Sequence, residues 1–363
     1  MEEWKEYKLG EVCSRLRSGK GIKADSVSNI GKYPVIGGNG VRGYADESNF
    51  EGQAAVIGRQ GAYCGNVRFF EGEAYMTEHA VVAVGNEYAD TRFLACLLSL
   101  MHLGNLSAQS AQPGISVQTL SKQIVRLPSI SYQKKVSAII KSLDDKIEVN
   151  RRINDNLEQQ AQALFKSWFV DFEPFRDGEF VESELGMIPK GWSVGTLGEL
   201  IEIKYGKDHK KLSDGEIPVY GSGGLMRKCE RALYNGESVL IPRKGTLNNV
   251  MYVNEAFWTV DTMFYSVPKI GNVILFTYLF LCGKDLASMN SGSAVPSMTT
   301  EILNNMQIAI PTKDVMTDFN TKVTSIYSQI QHRNEESGRL ASLRDTLLPR
   351  LMSGEIKVGD VTL

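Results

Sequence analysis

Residues 131–170 read SYQKKVSAIIKSLDDKIEVNRRINDNLEQQAQALFKSWFV, forty positions without a proline or a glycine. Strong helix formers dominate, so the stretch predicts one α-helix of about 60 Å, at ~1.5 Å per residue. Alternate steps of four and three meet apolar side chains at both ends and asparagine in the middle, the pattern of a coiled-coil seam. The seam positions are Val136, Ile140, Leu143, Ile147, Asn150, Asn154, Leu157, Ala161, Leu164 and Trp168. A buried asparagine in such a seam costs stability and fixes the register.

A second helix in the same chain is the predicted partner of this seam. Moving each seam position forward by 183 residues gives a series that is again apolar at both ends and polar in the middle. Its members are Phe319, Val323, Ile326, Ile330, Arg333, Ser337, Leu340, Arg344, Leu347 and Leu351. Arg344 interrupts this second series and Gly338 lies inside it, which makes it the weaker of the two. The alternative for either stretch taken alone is a surface helix packed on a globular core.

The composition is that of a globular protein, and 363 residues are enough for two or three domains. The charged N-terminus lacks the apolar core of a signal peptide. The longest apolar runs, 93–101 and 273–282, are about half the ~20 residues of a membrane span, so they predict buried helices and no membrane association. The five cysteines are scattered, without a Cys-x-x-Cys pair. We therefore expect a reducing, cytoplasmic compartment and no zinc site.

One unit is written twice along the chain, at an offset that begins at 188 residues and settles at 183. Each copy predicts short strands with glycine-rich turns, then a short helix, a proline and a long helix. The strands of the first copy include residues 54–57, 66–70 and 80–84. The matched segments are Trp4 and Leu9-Gly10-Glu11 with Trp192 and Leu197-Gly198-Glu199, residues 34–40 with 218–224, residues 54–61 with 238–245, and Glu78 with Asp261.

The acidic stretch 171–190 between the copies contains proline and glycine, and it predicts a linker. This linker constrains the direction of the helices. If they ran parallel, roughly twenty linker residues would have to cross about 60 Å almost fully extended, at ~3.4 Å per residue. An antiparallel pair needs no such crossing, so we predict antiparallel helices and a pseudo-two-fold molecule.

This layout resembles the specificity subunit of type I restriction–modification enzymes. The most specific segments are Trp-x4-Leu-Gly-Glu in each copy, residues 115–147, ALFKSWFVDFEPF at 163–175 and LLPRLMSGEI at 347–356. In that family a proline and then a glutamine open the long helix, and Pro128 and Gln133 match. The second copy has Pro311 but no glutamine at the corresponding place, which leaves the start of its helix open.

The resemblance implies an α+β fold. Two pseudo-repeated mixed α/β target recognition domains would be joined by two long helices that form an antiparallel intramolecular coiled coil. The predicted boundaries are 1–130 for the first recognition domain, 131–172 for the central helix, 173–190 for the linker, 191–312 for the second recognition domain, 313–352 for the C-terminal helix and 353–363 for the tail.

The resemblance also implies a protein that performs no chemistry itself. Each recognition domain would read one half of a bipartite sequence in double-stranded DNA, and the helix pair would set the gap and hold DNA adenine methyltransferase subunits. Those subunits would bind S-adenosylmethionine and methylate a flipped-out adenine. A restriction subunit would bring ATP, Mg²⁺ and DNA cleavage. No cofactor is expected in this chain.

Enzyme motifs are missing from the sequence. There is no Gly-x4-Gly-Lys-Ser/Thr phosphate loop and no Asn/Asp-Pro-Pro-aromatic run of the kind that amino-methyltransferases carry. A repeat-built coiled-coil interaction scaffold without direct DNA recognition is the alternative function. The net charge of −2 is its best support, because it gives no whole-chain electrostatic attraction for nucleic acid.

Loops that follow the strands ending at Ile57 and Ile241 carry basic and amide side chains. Arginine can pair with guanine, glutamine or asparagine with adenine, and clustered lysines with phosphates. The glycine-rich runs 37–40 and 221–224 predict turns rather than phosphate loops. The candidate DNA-binding residues are Lys20, Lys23, Arg42, Arg59, Gln60, Tyr63, Gln109, Gln112, Lys207, His209, Lys210, Arg227, Arg243, Lys244, Asn248, Asn249, Asn290 and Ser291. An ordinary polar hairpin tip is the alternative for each of them.

Overall fold

A computed structural model of the chain describes residues 3–107, 114–289 and 297–361. The chain divides into two compact units. Unit 1 comprises Met1–Val149 with Glu336–Leu363, and unit 2 comprises Asn150–Glu335. Each unit therefore contains the sheet of one sequence copy and a part of each long helix.

Unit 1 is built on a six-stranded sheet with the order β2-β7-β5-β6-β3-β4, beside a two-stranded pairing of β1 with β8. Its strands are β1 (Lys5–Lys8), β2 (Cys13–Ser18), β3 (Tyr33–Gly37), β4 (Gly40–Ala45), β5 (Phe50–Gly58), β6 (Val67–Met76), β7 (Ala80–Gly85) and β8 (Ile124–Leu127). The short helices are α1 (Thr91–Leu100) and α2 (Val117–Ser121), and the first long helix is α3 (Ile130–Phe169).

The strand pairings of unit 1 show that the long β5–β6 ribbon curls. β5 pairs with β6 from Phe50 opposite Ala74 to Ile57 opposite Val67. The C-terminal end of β5 also pairs with β7, on its other side, where Gly58 lies opposite Ala80. The C-terminal end of β6 lies opposite the start of β5, and only residues 77–79 separate it from β7, which begins opposite the end of β5. The ribbon must therefore curl so that the two ends of β5 come close together. This curl brings the loops after several strands to one place.

Unit 2 repeats this arrangement with the order β12-β17-β15-β16-β13-β14 and a two-stranded pairing of β11 with β18. Its strands are β9 (Phe180–Ser183), β10 (Gly186–Pro189), β11 (Ser193–Thr196), β12 (Ile201–Tyr205), β13 (Ile217–Gly221), β14 (Gly224–Cys229), β15 (Tyr234–Pro242), β16 (Met251–Thr259), β17 (Met263–Pro268) and β18 (Gln307–Ile310). Its helices are α4 (Leu197–Leu200), α5 (Ile274–Cys282), α6 (Thr300–Asn304) and the second long helix α7 (Lys313–Ser353).

The repeated Leu-Gly-Glu motif has a separate structural reason for each residue. Leu9 and its counterpart Leu197 are fully buried in their cores. A Cβ on Gly10 would lie 3.2 Å from the Cβ of Ser121, so the glycine allows close approach. The Glu11 carboxylate accepts a hydrogen bond from the Lys8 amide at 2.9 Å, as Glu199 does from Thr196 at 3.1 Å, and so caps the turn.

The two long helices pair in antiparallel fashion, as predicted. In unit 1 the hydroxyl of Tyr132, near the start of α3, donates to the carbonyl of Leu351, near the end of α7, at 3.3 Å. In unit 2 the ring of Phe169, the last residue of α3, packs edge-on against Phe319, near the start of α7, with centroids 4.6 Å apart. A parallel pair could make neither contact.

Most of the predicted seam of α3 is buried, and Ile147 and one end depart from the prediction. The buried members are Val136, Ile140, Leu143, Asn150, Asn154, Leu157 and Ala161. In the last turns Phe165 and Phe169 are buried, whereas the predicted Leu164 and Trp168 are only half-buried. A helix of 3.6 residues per turn drifts against a 3.5-residue repeat, so the buried face moves by one residue over this length.

Polar residues in the seams join the helices across the pair. In unit 2 the Asn154 side-chain amide donates to the Asn334 carbonyl oxygen at 2.8 Å, which suits a register-fixing asparagine. In unit 1 Arg344, which interrupts the sequence pattern of the second seam, donates to the Asp144 carboxylate at 2.8 Å. The apolar pattern of α7 is interrupted there because an ion pair takes the place of an apolar contact.

The start of each long helix is attached to its sheet in a different way. Gln133 is fully buried, and its side-chain amide donates to the carbonyls of Tyr88 and Pro128, both at 2.9 Å. Its side-chain oxygen accepts from the Asp90 amide at 2.9 Å. In the second copy Met316 is buried at this place, and α7 begins at Lys313 without a glutamine.

The segment predicted as a linker contains regular structure. The strands β9 and β10 form an antiparallel hairpin between residues 180 and 189. Ile188 is buried, and the rings of Phe172 and Phe175 pack on Trp192 with centroids 5.5 and 5.2 Å apart. The acidic residues that predicted a linker are all exposed, and four of the six precede the hairpin. Among the described residues, no helix is both long and apolar enough to cross a membrane.

Candidate nucleic-acid interface

In unit 1 three loops meet at the turn between β6 and β7. The Lys20 amide donates to the Met76 carbonyl at 2.9 Å, and the Arg59 amide donates to the His79 carbonyl at 2.9 Å. The Thr77 amide donates to Ile36, at the end of β3, at 2.9 Å. We call residues 19–23, 37–42, 58–63 and 76–80 the loop cluster of unit 1.

Glycines allow these loops to pack backbone against backbone. A Cβ on Gly58 would lie 2.3 Å from the Tyr63 carbonyl oxygen and 2.9 Å from that of Gly38. A Cβ on Gly19 would lie 2.0 Å from the Met76 oxygen, so no larger residue fits without a shift. The glycine-rich run 37–40 is the turn of the β3–β4 hairpin, as predicted, with Gly40 at a φ of 103°.

The candidate side chains of unit 1 lie on the outside of this framework. Lys20, Lys23, Arg42 and Gln60 are exposed, and Arg59 is half-buried. Gln109 and Gln112 lie outside the described residues. The segment that begins at Gly114 lies next to the loop cluster, because Gly114 pairs with Gln60 and the Ile115 amide donates to the Arg59 carbonyl at 3.0 Å. The remaining candidate, Tyr63, has 51% of its surface exposed. The loop cluster therefore presents basic, amide and aromatic groups together.

Unit 2 contains the same loop cluster, formed by residues 206–211, 221–227, 242–249 and 259–263. Its Lys207 amide donates to Thr259 and its Arg243 amide to Thr262, both at 2.9 Å. Lys244 pairs with Ser297 as Gln60 pairs with Gly114. The backbone hydrogen bonds therefore recur in both units, and the side chains that they position differ.

Two asparagines of the unit 2 cluster hold loops in place. The Asn248 amide donates to the Asp285 carboxylate at 3.0 Å, and its oxygen accepts from the Ala287 amide at 2.9 Å. The bond from Asn248, helped by amides of residues 287 and 288, lowers the pKa of Asp285. The Asn249 amide donates to the Ser222 carbonyl at 2.8 Å. Asn290 and Ser291 lie outside the described residues.

Arg227 also stabilises a loop within unit 2. Its guanidinium donates to the Leu212 carbonyl at 2.5 Å and lies 3.9 Å from the Asp214 carboxylate. The strand register places Gly43, not Arg42, at the position equivalent to Arg227. Arg42 and Arg227 therefore occupy different places in the two units, although the sequence suggests similar roles for them.

The basic loop 207–211 is anchored by Trp258, whose indole donates to the Lys207 carbonyl at 2.9 Å. Lys207 and Lys210 are exposed, and His209 is half-buried with no hydrogen-bond partner on its Nδ1 among the described residues. The Arg243 guanidinium donates to the Asp261 carbonyl at 3.1 Å and lies 5.5 Å from the centre of the Tyr205 ring. The two lysines are therefore accessible to solvent, and the orientation of Arg243 is set by its neighbours.

Three residues in or beside these clusters were not predicted from the sequence. His79 and Thr262 occupy equivalent places in the turns to which Arg59 and Arg243 are bonded. Arg68 is exposed and donates to the Asn39 side chain, in the glycine-rich turn, at 3.2 Å. The match of Glu78 with Asp261 marks the first two in the sequence. Arg68 lies inside a strand pattern, which carries no such signal.

The two clusters have the chemistry of a nucleic-acid contact surface. Lysine and arginine can contact phosphates, while arginine, glutamine and asparagine can read base edges.

Among residues 3–107, 114–289 and 297–361, no group of three or more His, Cys, Asp or Glu side chains is placed to hold a metal ion.

Comparison with known sequences gives a consistent result. A family model described as the type I restriction modification DNA specificity domain matches residues 1–159 and 189–336. The chain is 26% identical over 288 residues to the type I restriction enzyme MjaIX specificity subunit of Methanocaldococcus jannaschii, covering 72% of this chain and 67% of that protein. It is 27% identical over 333 residues to the HindI specificity subunit of Haemophilus influenzae, covering 67% and 71%.

A shorter and stronger similarity covers one part of the chain. Over 146 residues it is 38% identical to the EcoprrI specificity subunit of Escherichia coli, covering 39% of this chain and 36% of that protein. Among solved structures, the type I restriction-modification S subunit from M. genitalium matches with a TM-score of 0.63 at 16% identity and covers 96% of each chain. That protein has the same fold.

Proposed function

The chain belongs to the type I restriction modification DNA specificity family, and we propose that its two loop clusters each read one half of a bipartite sequence in double-stranded DNA. Specificity subunits of type I systems recognise DNA, assemble with the other subunits and are non-catalytic. The partners proposed for this chain are DNA adenine methyltransferase subunits and a restriction subunit. S-adenosylmethionine, ATP and Mg²⁺ would be bound by those partners.

The observation that carries the proposal is the recurrence of one backbone framework with different side chains. The backbone amides of Arg59 and Arg243 donate equivalent hydrogen bonds, but Gln60 in unit 1 is replaced by Lys244 in unit 2. A glutamine pairs with adenine through two hydrogen bonds, whereas a lysine pairs with guanine or a phosphate. Two readers built in this way have equal shape and different sequence preference.

Within each cluster we assign separate roles to the exposed side chains. Arg59 with Gln60, and Arg243 with Lys244, are proposed to read bases. Loss of a good base contact costs about 1–3 kcal/mol, so alanine should weaken binding to the cognate half-site by roughly 5- to 150-fold. The lysine Lys20 is proposed to contact phosphate. Its loss should weaken all sequences alike and reduce the salt dependence by about one ion.

The experiment is a methylome of a host that carries this gene with its partner genes. Paired alanines at Arg59 and Gln60 should change one half of the methylated site, and paired alanines at Arg243 and Lys244 the other half. Lys122→Ala and Lys313→Ala are the matched controls, because both lysines are exposed outside the clusters. A change in both halves from either pair would contradict independent reading.

Exchange of residues 1–128 for the first domain of another family member tests the same idea at larger scale. It should replace one half-site and leave the other unchanged. If the purified chain and its complexes show no salt-dependent binding to duplex DNA, the chain is an interaction scaffold and the proposal fails.

We further propose that α3 and α7 set the number of unread base pairs between the half-sites. Support comes from the continuity of both helices and from the Asn154–Asn334 bond, which fixes their register. Four residues inserted between Asn150 and Asn154, with four more opposite them after Asn334, lengthen the pair by about 6 Å. The gap should grow by one or two base pairs, at ~3.4 Å each, with the half-sites unchanged. An unchanged gap in an active enzyme would exclude the helices as the spacer.

A further inference from the structure

The place where the sheet meets the short helix and the long helix is built differently in the two units. In unit 1 the guanidinium of Arg92, on α1, lies 3.8 Å from the centre of the Phe69 ring. The same group lies 3.4 Å from the Glu71 carboxylate and 3.6 Å from that of Asp144. Only 12% of the Arg92 side chain is exposed. Unit 1 thus combines an aromatic face and two carboxylates with a cation of its own.

Unit 2 has no such cation at the equivalent place. Strand register makes Tyr252 the counterpart of Phe69, since Val239 pairs with Tyr252 as Ala55 pairs with Phe69. The offset of 183 makes Tyr327 the counterpart of Asp144 and Leu275 that of Arg92. The α5 sequence, ILFTYLFLC, contains no basic residue.

Three tyrosines and a cavity take up this part of unit 2. The ring centroids of Tyr252, Tyr278 and Tyr327 are 5.2–6.0 Å apart. Beside them, between β16 and α7, lies a cavity of about 560 Å³ lined partly by Glu158, Glu255 and Glu335. We call it the tyrosine groove. No lysine, arginine or histidine of the described chain lines it.

The carboxylates of the tyrosine groove lack a positive partner. Within the described part of unit 2, the ion pairs involve other acidic residues than Glu158, Glu255 and Glu335. Tyr220 donates to Glu255, and Tyr252 donates to Glu237 behind the groove, both at 2.7 Å. Neutral hydroxyls satisfy hydrogen bonds there without cancelling the negative charge.

The surroundings of the tyrosine groove strengthen its attraction for a cation. Partial burial raises the pKa of Glu158, which is still exposed at the groove, and the nearby Asp155 adds to this effect. Aromatic faces attract cations as well. A guanidinium suits both features, because it stacks flat on a ring, forms two parallel bonds to a carboxylate and gives up its hydration more readily than an ammonium.

We propose that the tyrosine groove receives an arginine side chain from a partner protein subunit. Charge complementarity decides the class of partner, since the carboxylates repel the phosphates of DNA and of lipid headgroups. The inference rests on the proposed function only in taking that subunit to be the methyltransferase of the same assembly.

The direct test uses the full-length chain labelled with 3-fluorotyrosine and followed by fluorine NMR. L-Arginine amide is the probe, and L-citrulline amide is its match with a neutral side-chain end. Arginine amide should shift the resonances of Tyr252, Tyr278 and Tyr327, assigned with single Tyr→Phe variants, and citrulline amide should not. An equal response to both amides, or none to either, overturns the proposal. Tighter binding of spermidine would assign the groove to free polyamines and overturn it too.

Two variants and one control locate the response. The triple variant Glu158→Gln, Glu255→Gln and Glu335→Gln should lose it. Ser328→Arg places an arginine on the groove wall, as unit 1 does internally, and should also remove it with the fold intact. The control triple variant is Glu182→Gln, Glu230→Gln and Glu301→Gln, which has the same charge change at exposed positions outside the groove and should respond as the wild type does. Retained response in both groove variants would place the arginine amide elsewhere and contradict the proposal.

Binding of the full chain to its methyltransferase subunit tests the identity of the partner. Loss of a stacked and paired arginine should weaken that complex roughly tenfold in both groove variants and leave the control triple unchanged. The half-sites read in the methylome test should stay the same. Failure of the loop clusters to read DNA would leave the NMR result standing, so the two proposals fail separately. An unchanged affinity in both groove variants would overturn the assignment to this subunit.

Discussion

Unit 1 and unit 2 share a backbone framework and use opposite means to attach the helices to it. In unit 1 the first turn of α1 is capped by Asp90, whose carboxylate accepts from the Phe93 amide at 2.9 Å and from the Ser137 hydroxyl of α3. In unit 2 the counterpart of Asp90 is Val273, which is fully buried and caps nothing. Unit 1 therefore uses a polar network where unit 2 uses apolar and aromatic packing.

This difference shows which parts of the repeat are interchangeable. The backbone hydrogen bonds of the loop clusters recur in both copies. So does the glycine at Gly19 and Gly206, where an added Cβ would lie 2.0 Å from a backbone oxygen, whereas Gly58 is replaced by Pro242. The attachment of helix to sheet needs only buried area or satisfied hydrogen bonds, and either can stabilise it.

The aromatic packing of unit 2 should be its most sensitive point. Phe319 is fully buried against the rings of Phe165, Trp168 and Phe169. Phe319→Ala should lower the free energy of unfolding by about 3–5 kcal/mol. Its counterpart in unit 1 is Val136, and Val136→Ala should cost roughly 2 kcal/mol, at ~0.8 kcal/mol per buried methylene. Urea denaturation measures both, and equal losses would show that aromatic packing is not what distinguishes unit 2.

The polar network of unit 1 should be sensitive in another way. Gln133→Met leaves the Tyr88 and Pro128 carbonyls and the Asp90 amide without their side-chain partner. At about 1–3 kcal/mol for each buried unsatisfied group, partly relieved by water, we expect a loss of roughly 2–4 kcal/mol.

The converse exchange, Met316→Gln, should destabilise unit 2, because its site offers a buried apolar surface to the new amide. Thermal denaturation of the two single variants and of the double variant checks the pair. If either exchange is tolerated without loss, the two attachments are not specific to their units.

A substitution in α7, which has the weaker seam, should raise the stability of the protein. Gly338 is exposed within α7, and a Cβ added there would meet nothing within 4 Å. Gly338→Ala should raise the free energy of unfolding by about 1 kcal/mol through helix propensity. Gly354→Ala is the control with the opposite sign, because Gly354 has a φ of 74° and its Cβ would lie 3.0 Å from the Trp4 indole nitrogen. Guanidinium chloride midpoints compare the two, and a gain in both would contradict the argument.

The smallest expected effect is a difference in salt dependence between the two polar contacts that join the helices. The Asp144–Arg344 ion pair of unit 1 is about one-third exposed on each side, so a double-mutant cycle should give roughly 0.2–1 kcal/mol. This coupling should decrease in high salt. The neutral Asn154–Asn334 bond of unit 2 should show a coupling that salt leaves unchanged. Equal salt dependence of the two cycles would remove the distinction.

Local patterns along the chain are enough to predict the architecture. The 4-3 repeat of apolar positions predicts a long paired helix, and the second copy at a constant offset predicts its partner. The linker length determines that the pair is antiparallel, and the contact of Tyr132 with Leu351 agrees. Each of these inferences depends on periodicity or chain length, which are properties of the sequence itself.

Tertiary structure alone decided which loop residues are available for binding. Arg42 and Arg227 both lie in the second strand of equivalent hairpins, yet Arg42 is exposed and Arg227 donates to the Leu212 carbonyl. The difference arises from strand register, where a shift of one residue reverses the direction of a side chain. Asn248 and the tyrosine groove likewise depend on partners 26 or more residues away, which no local pattern encodes.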